Sequence, residues 1–93
     1  MIATFHCHVF GRVQGVGFRY FTLNTANSIG EITGFVRNEY DGSVEVYAEG
    51  KKDLLEIFLD RIKTGPTYGH VEDISVMWDK IDKHKQKIFK ITY

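Results

Sequence analysis

Three glycines and two arginines crowd into Gly11-Arg12-Val13-Gln14-Gly15-Val16-Gly17-Phe18-Arg19, with no acidic residue among them. A main chain that curls freely at glycine can turn several N–H groups inward, forming a concave nest that suits an anion. Helix-type periodicity starts immediately afterwards, at Phe18. A helix start contributes further unpaired N–H groups and the positive end of a dipole. Arg19 then falls in the first turn, where a cation opposes that dipole. An anion seated in the nest relieves the conflict. These residues suggest a phosphate cradle running from Gly11 to Gly17, clamped by the planar guanidinium fork of Arg19.

Asn38 closes a second β-patterned run. Its carboxamide has a donor and an acceptor but takes no proton near neutral pH, so it can hold and aim a water. The cradle has no Ser, Cys or Asp to form a phosphoenzyme and no lysine of the Walker type. Gly15-Val16-Gly17 is followed three residues on by Tyr20, where a dinucleotide fingerprint needs a third glycine. Placement and charge stabilisation remain, and these are what phosphoryl transfer chiefly requires. With neither a metal nor a general acid, the leaving group must already be good. A carboxylate leaving an acyl phosphate qualifies; an alkoxide leaving a phosphomonoester does not.

Singly, each feature has a plainer reading: a strand-to-helix turn, a solvated arginine, a turn-forming asparagine. Gln14 reads as a loop scaffold in preference to a ligand, and Arg12 as a solvated charge that adds to the local positive field. His6 and His8 share one face of a strand and would suit a metal pair or a general base. No Cys, Asp or third His lies near them in sequence to complete a site, so they read as surface histidines. Cys7 reads as core packing.

The elements around these residues follow from hydrophobic periodicity. Ile2 to Phe10 alternates, with Ala3, Phe5, Cys7 and Val9 on one face. Phe18 to Ile29 has helical spacing and stops at Gly30. Ile32 to Asn38 is a second strand, followed by the turn Glu39-Tyr40-Asp41-Gly42. Val44, Val46 and Ala48 alternate with Glu45, Tyr47 and Glu49 in a third. Leu54, Leu55, Phe58, Leu59 and Ile62 form one stripe of a second helix, broken at Thr64-Gly65-Pro66. Val71 to Asp79 is a fourth strand, Ile81 to Gln86 a polar loop, and Ile88 to Tyr93 a short closing strand.

This order predicts an α+β, ferredoxin-like βαββαβ sandwich. Its sheet is expected to be antiparallel, with two helices on one face, solvent on the other and a short extra C-terminal strand. A right-handed crossover makes strands one and two parallel, so the glycine loop and Asn38 should meet at one sheet edge.

The totals bound the alternatives. Ninety-three residues, 43% hydrophobic, read as one domain spanning 1–93. Twelve basic residues balance twelve acidic ones, which argues against a general polyanion binder. Cys7 is the only cysteine, consistent with a reducing compartment. With no membrane-spanning run and no signal-peptide pattern, the expectation is a soluble, cytoplasmic monomer.

Two longer patterns carry a resemblance. Val9-x-Gly11-x-Val13-Gln14-Gly15-Val16-x-Phe18-Arg19 resembles the first signature of the acylphosphatase family position for position. Gly34-Phe35-Val36-Arg37-Asn38, with Gly42, Val44 and Gly50 following at the family's spacing, resembles the second. Gly65-Pro66 and the closing Phe89-x-Ile91-x-Tyr93 also fit, so the resemblance covers essentially the whole chain. It implies hydrolysis of acyl phosphates to a carboxylate and inorganic phosphate, with no metal and no cofactor. It further implies that Gly11, Arg12, Val13, Gln14, Gly15, Val16, Gly17 and Arg19 bind the phosphoryl group while Asn38 orients the attacking water. The substrate's own phosphate takes the proton. Gly30 to Gly34 is one residue longer than the family pattern, which raises the prospect of a bulge where strand two begins.

Two rivals share the element order. RNA-recognition domains stack bases on sheet aromatics, and Phe35 and Tyr47 offer such a pair. The third strand, Ser43-Val-Glu-Val-Tyr-Ala-Glu, is too acidic for that role, and neither nucleic acid nor membrane is expected as a partner. The other rival is a regulatory module that binds phosphate without turning it over.

Overall fold

The computed structural model describes residues 1–93. The elements are β1 (Ile2–Arg12), α1 (Phe18–Ile29), β2 (Thr33–Asn38), β3 (Val44–Gly50), α2 (Lys52–Thr64), β4 (His70–Ile81) and β5 (Phe89–Ile91). All five strands join one sheet in the order β4-β1-β3-β2-β5. Four of them pair antiparallel, as expected. The fifth does not: β5 runs parallel to β2, so the sheet is mixed. The cause is the route of the chain. β4 runs antiparallel to β1 and ends at the edge where β2 starts, so a strand returning from there travels the same way as β2.

Val9 and Asn38 are both paired with Val44, from opposite sides of β3. The ends of β1 and β2 therefore lie at the same sheet edge, as the crossover requires. β1 continues to Arg12, and the register slips between Phe10 and Gly11, where Glu72 is bulged out of β4. Gly11 and Arg12 thus belong to the strand, and the connecting loop is shorter than the glycine spacing suggests.

Both helices pack on one sheet face. Phe5, Cys7, Val9, Val44, Val46 and Ala48 meet Leu55, Phe58 and Ile62 of α2 and Phe18 and Ala26 of α1 in a single buried cluster. The Phe58 ring bridges Phe5 at 5.9 Å and Phe89 at 5.6 Å. Burial raises the Cys7 thiol to about 12, which keeps it protonated and unreactive.

The opposite face is less open than expected. Glu45 and Glu49 are 6% and 0% exposed. Glu49 is covered because the loop between β4 and β5 folds over it. It accepts hydrogen bonds from Thr33 Oγ1 (3.0 Å), the Tyr47 hydroxyl (2.7 Å) and the amides of Lys85 (3.0 Å) and Gln86 (2.9 Å). Burial by itself would raise the Glu49 pKa, but the hydroxyl and amide donors outweigh it and hold the carboxyl below its ordinary value of 4.5. Tyr47 is pushed up by burial and by that same carboxylate.

The additional residue between Gly30 and Gly34 causes no bulge in β2, whose register against β3 is continuous from Thr33 to Asn38. It is taken up before the strand, where Glu31 adopts φ 59° directly after the C-cap Gly30.

Candidate active site

The loop between β1 and α1 has its conformation set by glycine. Gly15 and Gly17 have φ of 74° and 79°, the left-handed region that costs an L-residue strain. A Cβ at either would meet no atom within 4 Å, so the backbone dihedral, and not crowding, demands glycine there. Gly17 is the N-cap of α1 and provides no side-chain cap, and the helix has no acidic residue in its first turn. The first hydrogen bond of the helix runs from Phe21 N–H to Gly17 C=O at 3.0 Å. The amides of Gly15 to Tyr20 consequently have no acceptor within the protein.

The loop and the helix start border a cavity of about 180 Å³ lined by Val13, Gly15, Gly17, Phe18, Arg19, Tyr20 and Asn38. Arg19 and Asn38 also line the adjoining, wider cavity of about 560 Å³, with Gln14, Arg37, Glu39, Tyr40 and Tyr93. Arg19 makes no ion pair with a carboxylate. Its guanidinium instead lies 5.0 Å from the centroid of the Tyr93 ring. Asn38 is half-buried, and its Oδ1 is buried with no hydrogen-bond partner. An orphaned acceptor costs about 1–3 kcal/mol, so its retention calls for a reason.

Gln14 ties the loop to the β2–β3 turn. Its Nε2 donates to the carbonyls of Glu39 (2.8 Å) and Ser43 (2.9 Å). That turn is itself braced by Asp41, whose carboxylate accepts from the Ser43 hydroxyl (2.6 Å) and amide (2.9 Å) and is thereby held below its usual pKa. The turn after Asn38 and the loop before Arg19 are therefore one braced unit.

The geometry thus brings Val13, Gln14, Gly15, Gly17, Arg19 and Asn38 together. Val16 is half-buried and packs on the core. Gly11 and Arg12 stand apart, in β1 opposite Val71 and His70. Arg37, Tyr40 and Tyr93 line the cavity without having been singled out by residue type. Arg37 and Tyr93 had a sequence signal only as members of the longer patterns that carry the resemblance. Tyr93 arrives because β5 runs parallel to β2 and the pairing continues through Thr92 N–H to Val36 C=O at 2.9 Å.

A ferredoxin-like α+β sandwich with an arginine, an orphaned carboxamide and a row of free amides at one sheet edge defines a narrow class. A sequence profile of the acylphosphatase family matches residues 5–91. The acylphosphatase of Caldanaerobacter subterraneus subsp. tengcongensis is 42% identical over 91 residues, covering 98% of this chain and 99% of that protein. The acylphosphatase of Salinibacter ruber is 50% identical over 68 residues, 73% of this chain and 70% of that one. The crystal structure of acylphosphatase from Bacillus subtilis superposes with a TM-score of 0.91 at 38% identity, covering 98% of this chain and 99% of that chain. The chain belongs to the acylphosphatase family, and the activity that goes with membership is hydrolysis of acyl phosphates.

Proposed function

We propose that the main-chain loop and Arg19 grip the phosphoryl group of an acyl phosphate while Asn38 aims the water that attacks it, without metal or cofactor. The observation that carries this reading is the Asn38 side chain in the wall of a cavity it shares with Arg19, Gly15 and Gly17. A carboxamide in that wall can hydrogen-bond a water and so turn a lone pair of that water toward phosphorus. The loop amides and the guanidinium strengthen their hold as charge builds on the equatorial oxygens. The water oxygen bonds to phosphorus, the bond from phosphorus to the acyl oxygen breaks, and the carboxylate departs with the electron pair. The proton passes to the phosphate.

No protein base enters this scheme. Glu39, the carboxylate that borders the wider cavity, is paired with Arg37 at 3.2 Å. Gly11 and Arg12 contribute through the strand that launches the loop and, for Arg12, through its unpaired positive charge. The enzyme acts as a cytoplasmic monomer of one domain on a small solute. Its zero formal net charge supports a local anion site over a nucleic-acid partner. No helix is long and apolar enough to cross a membrane.

The test is turnover of a synthetic acyl phosphate by the wild type, Arg19→Ala and Asn38→Ala, with inorganic phosphate affinity measured alongside. Arg19→Ala should lose both turnover and phosphate affinity while its circular dichroism is unchanged. Asn38→Ala should lose about 100-fold or more in rate with nearly unchanged phosphate affinity. A chelator should leave the wild-type rate as it is. Wild-type activity in either variant rejects its assigned role. Phosphate binding by the wild type with no turnover would favour a regulatory module.

A further inference from the structure

The face of the sheet turned away from the helices presents a second cluster. β1 sets His6 and His8 on it, two residues apart and pointing the same way. Their rings lie 5.3 Å apart, centroid to centroid. β3 places Glu45 directly opposite His8. One ligand atom from each of His6, His8 and Glu45 lies within 4.8 Å of the other two. The third donor that the histidines lack in sequence is therefore supplied across the ladder, from more than thirty positions away.

We propose that His6, His8 and Glu45 form a binding site for a divalent transition-metal ion of the Zn2+ type, separate from the phosphate cavity. Two imidazoles and one carboxylate are a common zinc donor set that leaves a coordination position open to water. Nitrogen donors select zinc or copper over magnesium and calcium, which prefer oxygen alone. Metal–ligand bonds near 2.0–2.1 Å put tetrahedral ligand atoms about 3.3 Å apart, so the cluster needs only small side-chain rotations to close.

The carboxylate is already oriented. Arg37 Nε holds Glu45 Oε1 at 2.5 Å, while Oε2 faces His6 Nε2 in direct contact. A ligating carboxylate held on its outer oxygen by a hydrogen-bond donor is the usual outer-shell arrangement of metal sites. The backbone underneath is rigid, because β1 is paired on both sides and β3 lies between β1 and β2. His70 and His84 lie elsewhere, at the start of β4 and against Thr33.

The experiment is a titration of the metal-free protein with Zn2+, read by calorimetry and by the imidazole NMR signals of all four histidines. One ion should bind per chain, with the signals of His6 and His8 shifting together and those of His70 and His84 staying in place. His6→Ala and His8→Ala should each weaken binding at least about 10-fold, and His70→Ala should not. The Tm should rise with Zn2+ in the wild type and His70→Ala but not in His8→Ala. Absence of binding, unchanged affinity in His6→Ala or His8→Ala, or shifts confined to His70 and His84 would each overturn the site. The NMR readout needs no variant, so a folding defect in one does not obscure the answer. None of these readouts uses turnover, so this site and the phosphate reading stand or fall separately.

Discussion

Arg19 occupies a position that helix electrostatics disfavours. It lies in the first turn of α1, beside amides that present the positive end of the helix dipole, and no carboxylate neutralises it. A dianion in the loop turns that conflict into attraction from both sides. What steadies the side chain meanwhile is the Tyr93 ring, 5.0 Å from the guanidinium carbon. A partly exposed cation–π contact is worth about 0.5–1 kcal/mol, so Tyr93→Ala should weaken inorganic phosphate binding by about 2- to 5-fold. Tyr93→Phe, which keeps the ring face, should bind phosphate as the wild type does. Competition of phosphate against substrate in the two variants gives the comparison, and equal losses would mean that the hydroxyl, not the ring, matters.

The two helices differ in how their ends are treated. α2 has Asp53 in its first turn and Arg61 and Lys63 in its last, each complementing the dipole. α1 has neither, and begins at a left-handed glycine without a side-chain cap. The helix that adjoins the cavity is the one with no acidic side chain at its N-terminus, whereas in α2 the Leu54 amide donates to Asp53 Oδ1 at 2.9 Å. Strand packing imposes a different demand at Gly34, which has φ 145° and sits where an added Cβ would lie 1.9 Å from the Tyr47 carbonyl oxygen. That separation is far below contact distance, so β2 and β3 can pair here only if one residue has no side chain. Gly34→Ala should destabilise the fold by about 3 kcal/mol or more, from overpacking and backbone strain together. Urea unfolding measures this, and a midpoint within error of the wild type would refute it.

At the scale of the whole molecule, both buried carboxylates lie on the sheet face opposite the helices. Glu49 fastens the β4–β5 connection to the sheet at the end far from the cavity, and with it the approach to β5 and Tyr93. Its folded pKa lies below the unfolded 4.5, so the stability it contributes is fully present above that value. The contribution is lost as pH falls through the depressed folded pKa. Glu49→Gln should cost about 2 kcal/mol at pH 7, where charge-assisted hydrogen bonds become neutral ones. The gap from the wild type should narrow steadily as the solution is acidified below pH 4.5. Urea midpoints across that range test the point, and a gap that stays constant would show that the carboxylate charge is not the source.

Much of this was legible in residue order because it is local. Period-two and helical spacings set the elements, and the two parallel strands on either side of β3 oblige the glycine loop and Asn38 to share an edge. Other features required distant segments to meet. Neither the orphaned oxygen of Asn38 nor the Tyr93 ring over Arg19 has a local pattern behind it. The same holds for the donors around Glu49 and for Glu45 beside His6 and His8, where alternation predicted solvent. Strand pairing and the return of the last strand decide those contacts, and both join residues far apart in the chain. Amino-acid order by itself determined the glycine loop and the arginine that follows it; tertiary structure alone decided which side chains surround them, because only the assembled sheet brings its two edges and its open face into register.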